Sequence, residues 1–117
     1  MKLTIFTPTY NRAYILENLY RSLQRQTCHD FEWLIVDDGS QDDTEMLVHS
    51  WMKDENPFSI RYYKQENGGK HTAINRGLEL AQGELFFTVD SDDYLTPDAL
   101  EKIIAWEAEL PKDGSYC

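Results

Sequence analysis

A chain of 117 residues with 41% hydrophobic content supports one domain with a real core and little more. Its net charge of −10 excludes a nucleic-acid or anionic-membrane surface, which would need Lys/Arg patches, and makes any bound polyanion dependent on a cation. No apolar run approaches the roughly 20 residues that span a bilayer, and the stretch before Pro8 is too brief for a secretory leader.

Residues 2–7 form a short β-type run, broken by Pro8 and followed by the polar loop Thr-Pro-Thr-Tyr-Asn-Arg at 7–12. Ile15, Leu16, Leu19, Tyr20 and Leu23 recur with helical spacing, which predicts a helix over about 13–26. Residues 31–36 are nearly continuous apolar sequence, the pattern of a strand covered on both faces, and end in Asp37-Asp38-Gly39-Ser40. Asp42 or Asp43 can cap a second helix, whose Met46, Leu47, Ser50 and Trp51 are expected to share its inner face. A third strand is predicted at 60–63, a turn at Asn67-Gly68-Gly69, and a third helix with Ala73, Ile74, Leu78 and Ala81 inward, ended by Gly83. Residues 85–89 read as a fourth, buried strand, and Pro97 lies in the first turn of a fourth helix reaching Leu110. The aromatics Trp33, Trp51, Phe86, Phe87 and Trp106 are expected in the core. Strand–helix alternation of this kind predicts right-handed crossovers and a parallel sheet between helical layers.

In open parallel sheets ligands bind beyond the carboxyl ends of the strands. All four strand ends here run into polar segments: 7–12, 37–40, 67–71 and 90–93. The last holds Asp90, Asp92 and Asp93, acids that repel one another unless something positive sits among them. An Asp-x-Asp step offers two hard oxygen ligands, which suits magnesium or manganese carrying a phosphorylated ligand. A calcium loop counted from Asp90 fails, because Leu95 occupies the position that needs Gly and a strand precedes it. Asp37 and Asp38 can accept hydrogen bonds from a base or a ribose, or can cap local turns; Tyr10 can face a base or pack on the first helix. Gly68, Gly69 and Lys70 place backbone amides and a cation at a helix start, where anions are favoured, without forming a P-loop. His71 admits a structural role or a general-base role. Cys28 and Cys117 show no metal or redox spacing and read as reduced thiols in a cytosolic setting.

Together, the motif at 7–12, Val-Asp-Asp-Gly-Ser at 36–40, Asn-Gly-Gly-Lys at 67–70, Ala-Ile-Asn-Arg-Gly at 73–77 and Val-Asp-Ser-Asp-Asp at 89–93 resemble the nucleotide-binding half of glycosyltransferase family 2. Members are inverting, metal-dependent sugar transferases of the GT-A fold. The resemblance implies a Rossmann-like, three-layer α/β/α fold with a mostly parallel sheet, and makes residues 1–117 the donor-binding half, stopping before the acceptor-binding half. It implies that Thr7, Pro8 and Tyr10 lie along the donor's base, that Asp38 accepts a hydrogen bond from it, and that Asp37 stands beside Asp38. Asp90 and Asp92 match the Asp-x-Asp signature, with Asp92 as direct metal ligand, Ser91 between them at the substrate, and Asp93 behind. Lys70 stands near the phosphates. Asn75 and Arg76 match part of a helix motif that in many members reads Ala-Arg-Asn; Ile74 replaces its Arg, so Lys70 or Arg76 is left to supply the basic contact.

The implied activity is transfer of a sugar, from a UDP-sugar by preference, to a hydroxyl of a saccharide, lipid-linked or protein acceptor, with Mn2+ or Mg2+ as cofactor and a general base outside this chain. Polysaccharide and cell-envelope synthesis in the cytoplasm, or at the cytoplasmic face of the membrane in a full-length protein, fit that activity. A sugar-phosphate nucleotidyltransferase is the rival enzyme, but it asks for a Gly-rich loop after the first strand, and 7–12 contains no Gly. A non-catalytic nucleotide-binding module is the other alternative.

Overall fold

Strands and helices alternate as β1 (Leu3–Thr9), α1 (Ala13–Gln24), β2 (Phe31–Asp37), α2 (Thr44–Lys53), β3 (Ser59–Lys64), α3 (Lys70–Leu80) and β4 (Leu85–Thr88). The computed structural model describes residues 3–27, 29–66, 68–92, 95 and 97–102. The expected fourth helix is helical at 99–102; its remainder, with Trp106 and Leu110, lies outside the described residues, as do Cys28, Asn67, Asp93 and Cys117.

The four strands form one sheet in the order β3-β2-β1-β4, every pair parallel. The chain winds outward from β1 through β2 to β3, and α3 then carries it back to β4 on the other side of β1. That reversal opens a crevice beyond the carboxyl ends of β1 and β4, the position where sheets of this type bind ligands.

The central strands explain their own composition. All seven residues of β2 are buried, because its alternate side chains serve two cores. On one face Ile5, Trp33 and Ile35 pack with Leu16, Leu19, Tyr20 and Leu23 of α1 and Val48 and Trp51 of α2; Tyr20 stacks on Trp51 with ring centroids 4.3 Å apart. On the other, Phe6, Leu34 and Val36 pack with Ala73, Ile74 and Leu80 of α3. A sheet with a helical layer on each face results, the Rossmann-like arrangement expected.

Several local expectations are corrected. The buried residues of α2 are Thr44, Val48 and Trp51, with Leu47 half-buried; Met46 and Ser50 face solvent. The true stripe is set by Val48 and Trp51, three residues apart, and Met46 falls off it. In α3 Leu78 is likewise exposed, and the inward position is taken by Gly77. Strand β4 is half-buried to exposed, because among the described strands it pairs with β1 alone; Phe86 stacks on Phe6, whereas Phe87 is exposed. Gly83 does not end α3, which closes at Leu80; it lets the chain pass over β1, where a Cβ would come within 2.5 Å of the Thr4 amide nitrogen.

Gly77 provides a test of the α3 contact. A Cβ there would lie 2.3 Å from Cε1 of Phe6, a fully buried ring. The helix-propensity gain of about 0.5–1 kcal/mol from Gly77→Ala is smaller than an overpacking cost of about 1–3 kcal/mol. Net destabilisation is therefore expected, read as a lower urea midpoint with unchanged slope.

Candidate functional site

The loop after β2 organises the carboxyl rim. Asp37, the last residue of β2, and Asp38 and Asp42 of the loop each hold a different part of the chain. Asp37 is fully buried; its Oδ1 accepts the Ser40 amide at 2.8 Å and its Oδ2 accepts the Tyr62 hydroxyl. Burial and the adjoining Asp37 carboxylate raise the Tyr62 pKa, so the phenol remains the donor. Asp42 Oδ2 accepts the Ala13 amide at 3.1 Å, and its Oδ1 accepts both the amide and the hydroxyl of Thr44. One carboxylate thus satisfies orphan donors at the starts of α1 and α2, although neither N-cap residue, Arg12 or Asp43, makes a side-chain cap. Burial acts to raise the Asp42 pKa, but these bonds outweigh it and hold the group below its ordinary value.

Asp38 reaches across to the loop after β3. Its Oδ1 accepts the Gly68 amide at 2.8 Å and Gln65 Nε2 at 3.1 Å, and its Oδ2 accepts the Gly69 amide at 2.8 Å. Burial pushes its pKa up, yet the three donors win and keep the carboxyl ionised below the usual range. The amides of Gly68 and Gly69 therefore bind an anion, as their place at a helix start suggests, but the anion is Asp38. Gly69, the N-cap of α3 at φ 89°, presents its amide to Oδ2 from the left-handed region.

The loop after β1 is locked onto the same frame. Asn11, at φ 53°, donates its amide to Ser40 Oγ at 2.7 Å and accepts the Gln41 amide on its own Oδ1 at 2.8 Å. Asp38 donates its amide to the Thr9 carbonyl at 2.9 Å. Tyr10 and Arg12 are consequently presented on a clamped backbone beside Asp38.

These residues and the segment after β4 line a cleft of about 340 Å3, formed by Pro8, Thr9, Tyr10, Arg12, Asp38, Ala73, Asp90, Ser91 and Asp92. Its volume falls in the range of small-molecule sites, and it sits at the strand-order reversal between β1 and β4. Of the residues singled out in the sequence, Pro8, Tyr10, Asp38, Asp90, Ser91 and Asp92 are brought together here. Tyr10 is 45% exposed, leaving ring surface open to a ligand.

Others are placed elsewhere. Thr7 is buried and its Oγ1 accepts Trp33 Nε1 at 2.9 Å, while Asp37 is engaged by Ser40 and Tyr62 as above. Held in these buried bonds, Thr7 and Asp37 are not among the residues lining the cleft. Asn75 and Arg76 are exposed on α3 outside the cleft lining, and Arg76 lies 3.8 Å from Glu79. The side chains of Lys70 and His71 lie outside what the structure describes. Thr9, Arg12 and Ala73 line the cleft without having been singled out. Thr9 Oγ1 is buried with no hydrogen-bond partner among the described residues. Its place at the end of a strand beside Tyr10 was the available signal.

Asp90 and Asp92 fit a hard divalent cation. No group of three His, Cys, Asp or Glu able to hold a metal occurs among the described residues. Magnesium-type ions are commonly held by one or two carboxylates, with substrate phosphates and water completing the shell, so this pair is adequate only together with a phosphorylated ligand.

The chain matches the model of Glycosyl transferase family 2 over residues 4–117. It is similar to the GalNAc(5)-diNAcBac-PP-undecaprenol beta-1,3-glucosyltransferase of Campylobacter jejuni, 36% identical over 105 residues that cover 88% of this chain and 33% of that protein. It also resembles the putative glycosyltransferase EpsH of Bacillus subtilis, 33% identical over 101 residues that cover 86% of this chain and 29% of that protein. Among solved structures, TarS 1–349 of S. aureus in complex with UDP superposes with a TM-score of 0.85 at 32% identity, covering 93% of this chain and 32% of that one. The mannosyltransferase PcManGT of Pyrobaculum calidifontis in complex with GDP-Man and Mn2+ superposes with a TM-score of 0.84 at 28% identity, covering 92% and 32%. The chain spans about a third of the length of these two curated relatives.

Proposed function

Because the chain belongs to glycosyltransferase family 2 and has its GT-A fold, we propose that it is the donor-binding part of a metal-dependent, inverting glycosyltransferase. The observation that supports this most is the convergence of Tyr10, Asp38, Asp90 and Asp92 on one cleft at the strand-order reversal. Solved relatives carry UDP, UDP-GlcNAc or GDP-Man, which favours a nucleoside diphosphate sugar, and we take a UDP-sugar as the donor.

In this reading the exposed face of Tyr10 stacks on the base. Asp38, ionised and fixed by three donors, has lone-pair capacity left on Oδ2 for one ring N–H. Asp92 and Asp90 would hold Mn2+ or Mg2+ against the diphosphate, with Ser91 between them. The ion's chemistry is to offset charge developing on the departing nucleoside diphosphate. The sugar passes to an acceptor hydroxyl in a single displacement with inversion. That hydroxyl must lose a proton to a general base, and we assign none within this chain. The isolated chain is expected to bind donor nucleotide weakly at best and to transfer sugar poorly. No helix among the described residues is long and apolar enough to cross a membrane. Some relatives act on undecaprenyl-linked substrates by name, which suits an acceptor at the cytoplasmic face and a role in envelope polysaccharide.

Calorimetric titration with UDP and GDP, with and without manganese, tests the reading. Metal-dependent binding with UDP preferred is expected; equal affinity for both nucleotides regardless of metal would contradict it. Release of pyrophosphate from a nucleoside triphosphate by the longer protein would instead favour the nucleotidyltransferase.

A further inference from the structure

The cleft contains a cation that the donor-site reading leaves unused. Arg12 lines it together with Asp38, Asp90 and Asp92, yet makes no ion pair with any described carboxylate. Its Nη1 donates to the Tyr14 hydroxyl at 2.8 Å, and that is its one side-chain hydrogen bond among the described residues. A guanidinium has five N–H donors in a planar fork, so most of its donor capacity remains open.

Of the other candidate positions, Lys70 has its side chain outside the described residues, and the remaining ones are engaged elsewhere. Ile74, standing where the resembling motif has Arg, packs against the Phe6, Leu34 and Val36 core. Arg76 points to Glu79 and lies outside the cleft lining. Arg61 is paired with Glu32, which sits near the start of β2, away from the carboxyl rim.

We propose that Arg12 is the protein's own diphosphate-binding residue, aimed by Tyr14, in the role that Ile74 cannot fill. The inference rests on the donor-site reading and deepens it. Asp38, whose hydrogen-bond donors are neutral, together with Asp92 and a diphosphate carries more negative charge than one divalent ion cancels, which favours a further positive group in the cleft. The guanidinium fork matches phosphate oxygens in a paired geometry. The backbone around Arg12 is fixed, through Asn11 on Ser40 and Gln41 and through Ala13 on Asp42, so little ordering is left to do when the ligand arrives.

NMR titration of the chain with uridine, UMP and UDP, each with manganese replaced by magnesium to avoid line broadening, separates the roles. Charge-assisted hydrogen bonds predict that Arg12→Ala weakens UDP by about ten- to a hundredfold while leaving uridine unchanged. Arg12→Lys should recover part of the loss, and Tyr14→Phe should show a smaller loss of the same selectivity. Equal weakening of all three ligands would make Arg12 a support of the loop and overturn the proposal, as would undiminished UDP affinity in Arg12→Ala. Wild-type chain that binds none of the three would instead sink the donor-site reading itself.

Discussion

Asp92→Ala is expected to remove metal-dependent UDP binding while leaving the fold intact. Asp92 is an exposed residue of the cleft, so its truncation should change stability by no more than about 0.5 kcal/mol. Loss of groups that merely orient metal ligands costs ten- to a hundredfold in affinity, so loss of a ligand should cost at least that. The contrast matters more than the size. Calorimetry with manganese should show UDP binding weakened by about a hundredfold, whereas the residual metal-free affinity, carried by the Tyr10 and Asp38 side of the cleft, should be unaltered. Undiminished metal-dependent binding in this variant would remove the Asp-x-Asp segment from the site.

The second large effect lies at the other end of the sheet. Glu32 is fully buried near the start of β2, and its carboxylate accepts Thr4 Oγ1 at 2.6 Å, the Gln82 amide at 2.7 Å and Arg61 Nη1 at 2.9 Å. Four segments are joined by that one group: β1, β2, β3 and the α3–β4 connection. Glu32→Ala leaves a guanidinium, a hydroxyl and an amide without their acceptor. Breaking a buried pair costs about 3–5 kcal/mol, and Arg61, 21% exposed, can partly recover water, which points to the lower end. Burial acts to raise the Glu32 pKa, but the bonds from Thr4, Gln82 and Arg61 prevail and hold it below 4.5. Its contribution is therefore complete above that unfolded value and is lost as the pH falls through the lower folded one. Urea unfolding should show the gap between the wild type and Glu32→Gln narrowing from about pH 5 downward; a gap independent of pH would contradict the assignment.

The order of elements was legible because β2 is a nearly continuous apolar run and α1 carries a clean apolar stripe. Where patterns were weaker, contacts between distant segments decided. Met46 and Leu78 look like inward residues until Val48, Trp51 and Gly77 are seen to occupy the contact. The site was legible as a set of loops at strand ends, since topology alone brings those ends together. Individual side chains were less so. Asp37 and Asp38 are adjacent and chemically identical, yet strand alternation turns one into the Tyr62 and Ser40 network and the other toward Gly68 and Gly69. Arg12 is one polar residue in a polar loop, and only the cleft lining distinguishes it. Glu32 reads as a charge interrupting a strand, because its partners are Arg61, 29 residues away, and Gln82, 50 residues away.

The central claim is that the crevice between the ends of β1 and β4 holds a divalent ion against a diphosphate. A crystal structure of the chain grown with UDP and manganese, with anomalous diffraction recorded at the manganese edge, tests it most directly. The account predicts an anomalous peak bonded to Asp92 and to phosphate oxygens of UDP, with the base against Tyr10. A nucleotide bound in the cleft with manganese elsewhere, or a peak remote from Asp90 and Asp92, would contradict it.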